Sequence, residues 1–235
     1  MAGKKRYLKI DDFEYGEKFG IIPGKEGKRE AALKKAWENR DFEIDKFWTR
    51  SAYFWGFIAL IFGAYIGATT GTNASQAEAM YLDLYLILLG GIFSTAWLLV
   101  IKGSKRWQEN WEAHIDKLED GITGPLYKTV YCNGKRFYSV SKINMLLAWV
   151  VIITWCWLLI MYIVRNIESF KNFFYWILSI RKECIFIVAP IVVPIALAIV
   201  SVILLVIKGQ SSEGKYMVEF EGAEGVFVDR NRTDT

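Results

Sequence analysis

Residues 84–101 read LYLILLGGIFSTAWLLVI, eighteen consecutive residues without a charge, and Lys102 follows them directly. The hydrocarbon core of a bilayer is roughly 30 Å thick, so a helix needs about 20 apolar residues to cross it. Three further stretches have the same character, at residues 52–70, 143–164 and 185–207. The sequence therefore predicts an α-helical membrane protein with about four transmembrane helices.

The overall composition supports this class. Hydrophobic residues make up 53% of the chain, and the 29 basic and 25 acidic residues lie almost wholly between the apolar blocks. A fifth apolar run, residues 170–180, is too short to cross and is expected to lie in the membrane interface. The first block follows a long charged segment, which is not the arrangement of a cleavable signal peptide.

Basic residues indicate the orientation. Residues 1–50 carry 13 lysines and arginines, residues 102–142 carry 8, and the tail from Lys208 carries 4. The loop 71–83 carries none, and the loop 165–184 carries 4. Because basic loops stay in the cytoplasm, we expect a multi-pass protein of the cell inner (plasma) membrane with a cytoplasmic N-terminus and C-terminus.

Net charge bears on the partners. The formal charge of +4 suits contact with anionic membrane lipid. Nucleic acid is not an expected partner, because 10 acidic residues dilute the basic ones in residues 1–50. The cytoplasmic parts could instead bind another protein.

Turn residues and periodicity divide the chain further. Glycines and a proline between Gly16 and Gly27 favour irregular structure, whereas the amphipathic repeat of residues 107–118 predicts that the second span continues as a helix. The predicted organisation is an irregular cytoplasmic N-terminus (1–27), a cytoplasmic helix running into spans 1 and 2 (28–101), a cytoplasmic helix plus β-hairpin (102–142), spans 3 and 4 with an interfacial segment at 165–184 (143–207), and a cytoplasmic tail with candidate strands (208–235).

A small cytoplasmic β-sheet is the other predicted element. Asn133 and Gly134 form a strong two-residue hairpin signal, because a type I′ turn needs positive φ at both positions. The flanking residues 126–132 and 135–140 are rich in strand formers, and the tail offers strands at 215–221 and 225–229. A lone hairpin is marginal in water, so we expect the four strands to share one sheet.

Two blocks of sequence resemble a known family. Residues 42–55 read FEIDKFWTRSAYFW, and residues 103–114 read GSKRWQENWEAH and continue through LED to TGPLY, ending at Tyr127. Together they resemble the RipA-like family of bacterial octameric membrane proteins. The resemblance implies a homo-oligomer of the bacterial inner membrane, an octamer, with a poorly defined role that by analogy lies in stress response, virulence or defence.

A related idea concerns the only histidine. Some RNA-targeting CRISPR systems have a pore-forming accessory membrane protein with a divergent HEPN motif, in which an arginine precedes a histidine. Arg106, Asn110 and His114 share one helical face here, but seven residues separate Arg106 from His114, more than the motif has. We regard the three as a candidate functional cytoplasmic face, with packing as the alternative role of His114.

No enzyme signature occurs elsewhere in the sequence. It contains no phosphate-binding glycine loop, no serine elbow and no zinc pattern. We therefore expect a protein that is not an enzyme, without a catalytic, cofactor or metal site.

Helix packing signals lie inside two of the spans. Ala59, Gly63 and Gly67 form a row of small residues in the first span, and such rows let helix backbones approach closely. The row serves packing within one subunit or between subunits, and the sequence leaves both open. Pro190 and Pro194 each remove a helical hydrogen bond from the fourth span and predict a kink.

Two carboxylates flank the outer end of the second span. In a ring of subunits, Glu78 and Asp83 would repeat as an acidic mouth that favours cations. The alternative is that both are ordinary solvated side chains.

These features favour an oligomeric membrane protein that forms or regulates a pore. The alternative is a membrane-anchored scaffold whose cytoplasmic part binds a protein partner through Trp37, Trp107 and Trp111. A membrane-tethered HEPN-like ribonuclease ranks third.

Overall fold

The computed structural model describes residues 6–131, 138–166, 185–208 and 227–234. The predicted interfacial segment at 170–180 and the candidate strand at 215–221 lie outside the described residues. In chain order the elements are β1 (Arg6–Ile10), α1 (Asp12–Phe19), α2 (Glu26–Thr70), α3 (Ala74–Ala79), α4 (Leu82–Leu118), a 3₁₀ turn (Glu119–Gly121), α5 (Val140–Arg165), α6 (Ile185–Lys208) and β2 (Phe227–Asp234).

These elements belong to two compact units. Unit 1 takes its residues from Met1–Lys46, Ser104–Phe137 and Lys208–Thr235, and unit 2 from Phe47–Gly103 and Tyr138–Ile207. The helices α2 and α4 contribute residues to each unit. The prediction that the first two apolar stretches belong to longer continuous helices is confirmed by the bounds of α2 and α4.

Among the described residues, three helices, α2, α4 and α5, are long and apolar enough to cross a membrane. These helices correspond to the first three predicted spans. The fourth predicted span is helical over Ile185–Lys208. Its apolar part with described side chains, Ile191–Ile207, is shorter than the three helices of membrane-crossing length. The described residues therefore confirm a mostly helical protein with three helices of membrane-crossing length and composition, and the count of four spans is not confirmed.

The core of unit 2 is built on a regular seam along α2. Phe47, Ser51, Ile58 and Ile61 are buried, and their spacings of three, four and seven residues place them on one face of the helix. This face packs on apolar side chains of its neighbours. The largest buried side chains of those neighbours are Leu84, Ile87, Trp97 and Ile101 of α4 and Trp155 of α5.

One polar link lies inside this apolar core. The hydroxyl of Ser51 accepts hydrogen bonds from Trp97 Nε1 at 3.5 Å and from Asn144 Nδ2 at 3.4 Å. All three residues are buried, and buried polar groups need such partners. The link therefore joins α2, α4 and α5 at a single level and helps to fix their register.

The N-terminal region is ordered, so the prediction of irregular structure there is wrong for β1 and α1. Asp11 caps α1, because its carboxylate accepts a hydrogen bond from the Glu14 N–H at 2.7 Å. Gly20 ends the helix in the left-handed conformation with φ of 77°, which suits glycine. The turn residues therefore bound a short helix instead of preventing one.

The strands β1 and β2 form an antiparallel two-stranded sheet in unit 1. Ile10 pairs with Phe227 and Lys9 with Val228, and the register shifts between Tyr7 and Leu8. The tail strand predicted at 225–229 is thus present in part, but its partner is the N-terminal strand, which the sequence pattern missed.

The predicted hairpin is not seen where the structure can test it. Residues 126–131 form turns and irregular chain, and Asn133 and Gly134 lie outside the described residues. Ser139 accepts a hydrogen bond from the Lys142 N–H at 3.3 Å and caps α5, so the helix begins at Val140, where the second hairpin strand was expected to end. The four-stranded sheet is therefore not confirmed.

Close packing of α4 on α5 generates a prediction. A Cβ atom added at Gly90 would overlap the ring of Trp155, whereas one added at the next residue, Gly91, would meet nothing within 4 Å. Gly90→Ala is expected to destabilise the protein by about 1–3 kcal/mol through overpacking, measured by thermal unfolding in detergent. Gly91→Ala is the matched control, and equal unfolding temperatures for the two variants would contradict the packing.

Candidate functional site

The histidine of the sequence lies in a box of aromatic rings in unit 1. Tyr15 and Phe19 come from α1, Trp111 and His114 from α4, and Phe227 from β2. The Tyr15 hydroxyl is 2.7 Å from His114 Nδ1, at hydrogen-bond distance. The His114 ring centroid lies 4.7 Å from that of Phe227 and between 5.6 and 5.8 Å from those of the other three rings. Three chain segments thus meet at one imidazole.

Burial determines the ionisation of this pair. It lowers the pKa of His114 to about 4 and raises the pKa of Tyr15 above its ordinary value, because both charged forms lose hydration. At neutral pH the hydroxyl and the imidazole are therefore both uncharged. A general base works best with a pKa near the operating pH, so this histidine is poorly suited to that role.

A charged rim closes the box on one side. The ammonium of Lys117 lies 5.4 Å from the Tyr15 ring centroid and 5.6 Å from that of Phe227. It also forms an ion pair with Asp12. The lysine therefore covers two rings of the box and ties the end of α4 to the start of α1.

The predicted face of Arg106, Asn110 and His114 does not form a common site. The eight residue steps from Arg106 to His114 correspond to about 12 Å along a helix. Arg106 is exposed and Asn110 half-buried, while the imidazole packs in the aromatic box. The structure places His114 with Tyr15 instead of with the arginine.

A second cluster in unit 1 centres on Arg40 of α2. Its guanidinium carbon lies 5.4 Å from the ring centroids of both Trp37 and Tyr127. Its Nε atom lies 3.7 Å from a carboxylate oxygen of Glu112. Burial, followed by a hydrogen bond to Glu112, raises the pKa of Tyr127. This cluster joins α2, α4 and the chain after α4.

The tryptophans that were candidates for binding a partner pack within unit 1. Trp37 meets Tyr127 edge to face at 5.4 Å, and Trp107 stacks with Trp111 at 6.4 Å between ring centroids. All three tryptophans are half-buried. Their contacts within the unit account for much of their surface.

Glu119 organises the end of α4, and sequence reasoning did not single it out. Its carboxylate is buried and accepts hydrogen bonds from the backbone N–H groups of Tyr127 at 2.7 Å and Lys128 at 3.2 Å. Arg29 donates to the Leu118 carbonyl at 2.8 Å. Both Glu119 and Tyr127 lie in the block that carried the family resemblance, which gives that block a structural role.

In unit 2, the two carboxylates predicted as an acidic mouth share one arginine. Arg165 forms an ion pair with Asp83 and lies 3.8 Å from a carboxylate oxygen of Glu78. Asp83 is buried, and its other oxygen accepts a hydrogen bond from the Leu84 N–H at 2.9 Å. Asp83 is therefore not the ordinary solvated side chain of the alternative, because an arginine 82 positions further along the chain pairs with it, and the acidic mouth stays a prediction.

The small-residue row of α2 is open. Ala59, Gly63 and Gly67 are exposed, and a Cβ added at either glycine would meet nothing within 4 Å. The sequence left two roles open for this row, packing within one subunit or between subunits. In the described part of the subunit, no other helix packs against the two glycines.

Two predictions remain, a kink at the prolines of α6 and the absence of a metal site. The helix continues through Pro190 and Pro194, and the predicted kink stays a prediction. Across residues 6–131, 138–166, 185–208 and 227–234, no group of three or more histidine, cysteine, aspartate or glutamate side chains could hold a metal ion.

The half-buried histidine predicts a pH dependence of stability. The pKa of His114 is near 6.5 in the unfolded chain and about 4 in the folded chain. Between these two pH values, the imidazole binds a proton in the unfolded chain only. This difference in pKa contributes about 3 kcal/mol to the free energy of unfolding. The contribution is complete above pH 6.5 and is lost as the pH falls to 4. His114→Gln, which cannot titrate, should lose less stability than the wild type between pH 7 and pH 4.5 in thermal unfolding. Parallel losses in the two proteins would contradict the assignment.

Comparison with known proteins gives the family. A model described as the octameric membrane protein family (8xMP) matches residues 30–164, which is more than half of the chain and runs from early α2 to the end of α5. No curated protein and no solved structure matches. The matched range includes His114, Glu119 and the three membrane-length helices, and the resemblance to a family of octameric membrane proteins is confirmed. The chain belongs to the octameric membrane protein family.

Proposed function

We propose that the chain assembles into a homo-octamer that forms or regulates a pore in the membrane. The observation that carries the proposal is how little of the three membrane-length helices is buried in the described part of the chain. Of the most apolar 18 residues, 6% are buried in α2, 17% in α5 and 39% in α4. Lipid and neighbouring subunits must therefore cover most of α2 and α5, and the octameric family supports neighbouring subunits for part of this surface.

The arrangement of residues around α2 supports a particular interface. The buried seam through Ser51, Ile58 and Ile61 occupies one side of the helix, and the row of Ala59, Gly63 and Gly67 points away from it, since 100° separates successive residues. In a bilayer, apolar burial does not drive helices together, and close backbone approach at small residues does. A glycine facing lipid would contribute no packing. We therefore assign the row to a subunit contact.

The character of the spans supports a passive pore over a coupled transporter. No charged residue occurs between Arg50 and Glu78, between Asp83 and Lys102, or between Lys142 and Arg165. Proton- and ion-coupled pathways use ionisable residues inside the membrane. An apolar passage can open and close by wetting and dewetting.

The entrance charge follows from the ion pairs of unit 2. Arg165 offsets Asp83, so Glu78 is the carboxylate left most exposed in this cluster, with 63% of its side-chain surface accessible. A ring of eight such glutamates would favour cations at the mouth. Selectivity in this proposal depends on Glu78 and not on the buried aspartate.

The complete topology is part of the same proposal. The 24 residues of α6 span about 36 Å at 1.5 Å per residue, which exceeds the hydrocarbon core of roughly 30 Å. We therefore include α6 as a fourth span. Four crossings and the basic-residue distribution support a bacterial inner-membrane protein with both termini in the cytoplasm.

A membrane-anchored scaffold is the second candidate. Unit 1 exposes several large apolar side chains, which favours contact with a protein partner. They are Phe13, Phe42, Leu126, Val130 and Tyr131. Crosslinking in cells followed by mass spectrometry tests this candidate, and recovery of the protein with itself alone would count against it. A HEPN-like ribonuclease ranks below both, because His114 is a weak base that lies apart from Arg106.

The octamer and the pore can be tested with one pair of variants. Gly63→Leu/Gly67→Leu fills the row and should disperse the octamer, because a loss of about 1.4 kcal/mol at each contact lowers an association constant tenfold. Particle mass and symmetry would be measured by light scattering and electron microscopy, and conductance by flux from liposomes. Ala64→Leu is the matched control, since Ala64 is exposed on α2 but lies off the row.

The outcomes separate the parts of the proposal. Loss of octamer and flux in the double variant, with both kept in the control, would support it. An intact octamer in the double variant would remove the row from the interface. A wild-type octamer that passes no ion or small solute at any tested pH or voltage would remove the pore and leave the scaffold.

A further inference from the structure

One face of α5 combines a cation with a strip of exposed apolar side chains. Lys142, Leu146, Trp149 and Ile153 follow each other at steps of four, three and four residues, which places them on one side of the helix. The side chains are largely uncovered, with exposed fractions of 64% for Leu146, 47% for Trp149 and 62% for Ile153. Lys142 is exposed as well. The face therefore has a charged end and an apolar length.

A second cation from α4 joins this face. The ammonium of Lys102 lies 6.0 Å from the centroid of the Trp149 ring, within the range of a cation–π contact. Lys142, at the start of the strip, precedes Trp149 by about 10 Å along α5 at 1.5 Å per residue. Lysines reach toward a membrane surface while their stems stay on apolar neighbours. One ammonium group thus lies at the start of the strip, and the other lies beside Trp149 in its second half.

Carboxylates of unit 2 lie far from these lysines. Within the described part of this unit the acidic residues are Glu78 and Asp83, and both belong to the cluster with Arg165. The distance along α4 from Asp83 to Lys102 is about 28 Å. No carboxylate in the described part of unit 2 therefore offsets the charge of Lys102 and Lys142.

We propose that this face binds an anionic phospholipid. Its phosphate group lies between the ammonium groups of Lys102 and Lys142, and an acyl chain runs along Leu146, Trp149 and Ile153. The strip suits hydrocarbon because its side chains are bulky and apolar. It differs in this respect from the small-residue row of α2, which suits another helix. The proposal depends on membrane insertion and not on the pore.

The first experiment measures lipid preference. The full-length protein in neutral detergent would be titrated with phosphatidylglycerol or phosphatidylcholine, with binding followed by native mass spectrometry and by the unfolding temperature. Each lysine near an anionic surface contributes about 1 kcal/mol. Lys102→Gln/Lys142→Gln should therefore weaken phosphatidylglycerol binding about 30-fold and leave phosphatidylcholine binding unchanged. Lys28→Gln/Lys34→Gln, at two exposed lysines of unit 1, removes the same charge and should keep the preference.

Any of three results of this titration would overturn the proposal. The first is equal binding of the two lipids to the wild type, and the second is an undiminished phosphatidylglycerol preference in Lys102→Gln/Lys142→Gln. The third is an equal loss in the control pair, which would indicate general charge attraction instead of a site.

The second experiment tests the acyl strip. Phosphatidylglycerol with brominated acyl chains quenches tryptophan fluorescence on contact, and the wild type should lose a larger fraction of its emission than Trp149→Phe. Equal fractional quenching in the two proteins would overturn the placement of the chain, including the case in which a second copy covers this face of α5. The lysine variants are substitutions at exposed residues and the tryptophan variant is conservative, and the unfolding temperature checks that each variant is folded.

Discussion

The backbone of a membrane span must satisfy its own hydrogen bonds, because hydrocarbon offers no partner for an N–H or C=O group. Helices meet this requirement locally, and the long runs of α2, α4 and α5 follow from it. Polar side chains inside unit 2 are under the same constraint. Ser51 and Asn144 are tolerated because each lies within hydrogen-bond reach of the other, and Trp97 shares the same hydroxyl.

Unit 1 is held together by polar and aromatic residues from distant positions. The Tyr15–His114 hydrogen bond joins two segments that are distant in sequence. The Glu119 carboxylate closes a turn through its contacts with the Tyr127 and Lys128 backbone. Tyr15 and Glu119 are buried, and burial of their polar groups without a partner would be costly. The blocks that carry the family resemblance therefore contain residues whose contacts are structural, and the histidine is part of that framework.

The outward faces of the two peripheral spans differ in a way that suits different neighbours. On α2 the outward row is made of Ala59, Gly63 and Gly67, where a backbone can come close. On α5 the outward strip is made of large apolar side chains that begin at Lys142. A bilayer provides both kinds of neighbour, helices and lipids, and side-chain size distinguishes between them. The same reasoning connects the octameric family to α2 and membrane lipid to α5.

The sequence by itself determined the three long helices that are apolar enough to cross a membrane, because length without charge and a periodicity of 3.6 residues are local properties. It did not reveal the pairing of Ile10 with Phe227, the burial of Asp83 against Arg165, or the aromatic box around His114. Each of these joins residues 82 or more positions apart, and such contacts depend on how whole helices pack. The glycines near the N-terminus were misread for a related reason, since only the left-handed φ of Gly20 distinguishes the end of a helix from an irregular segment.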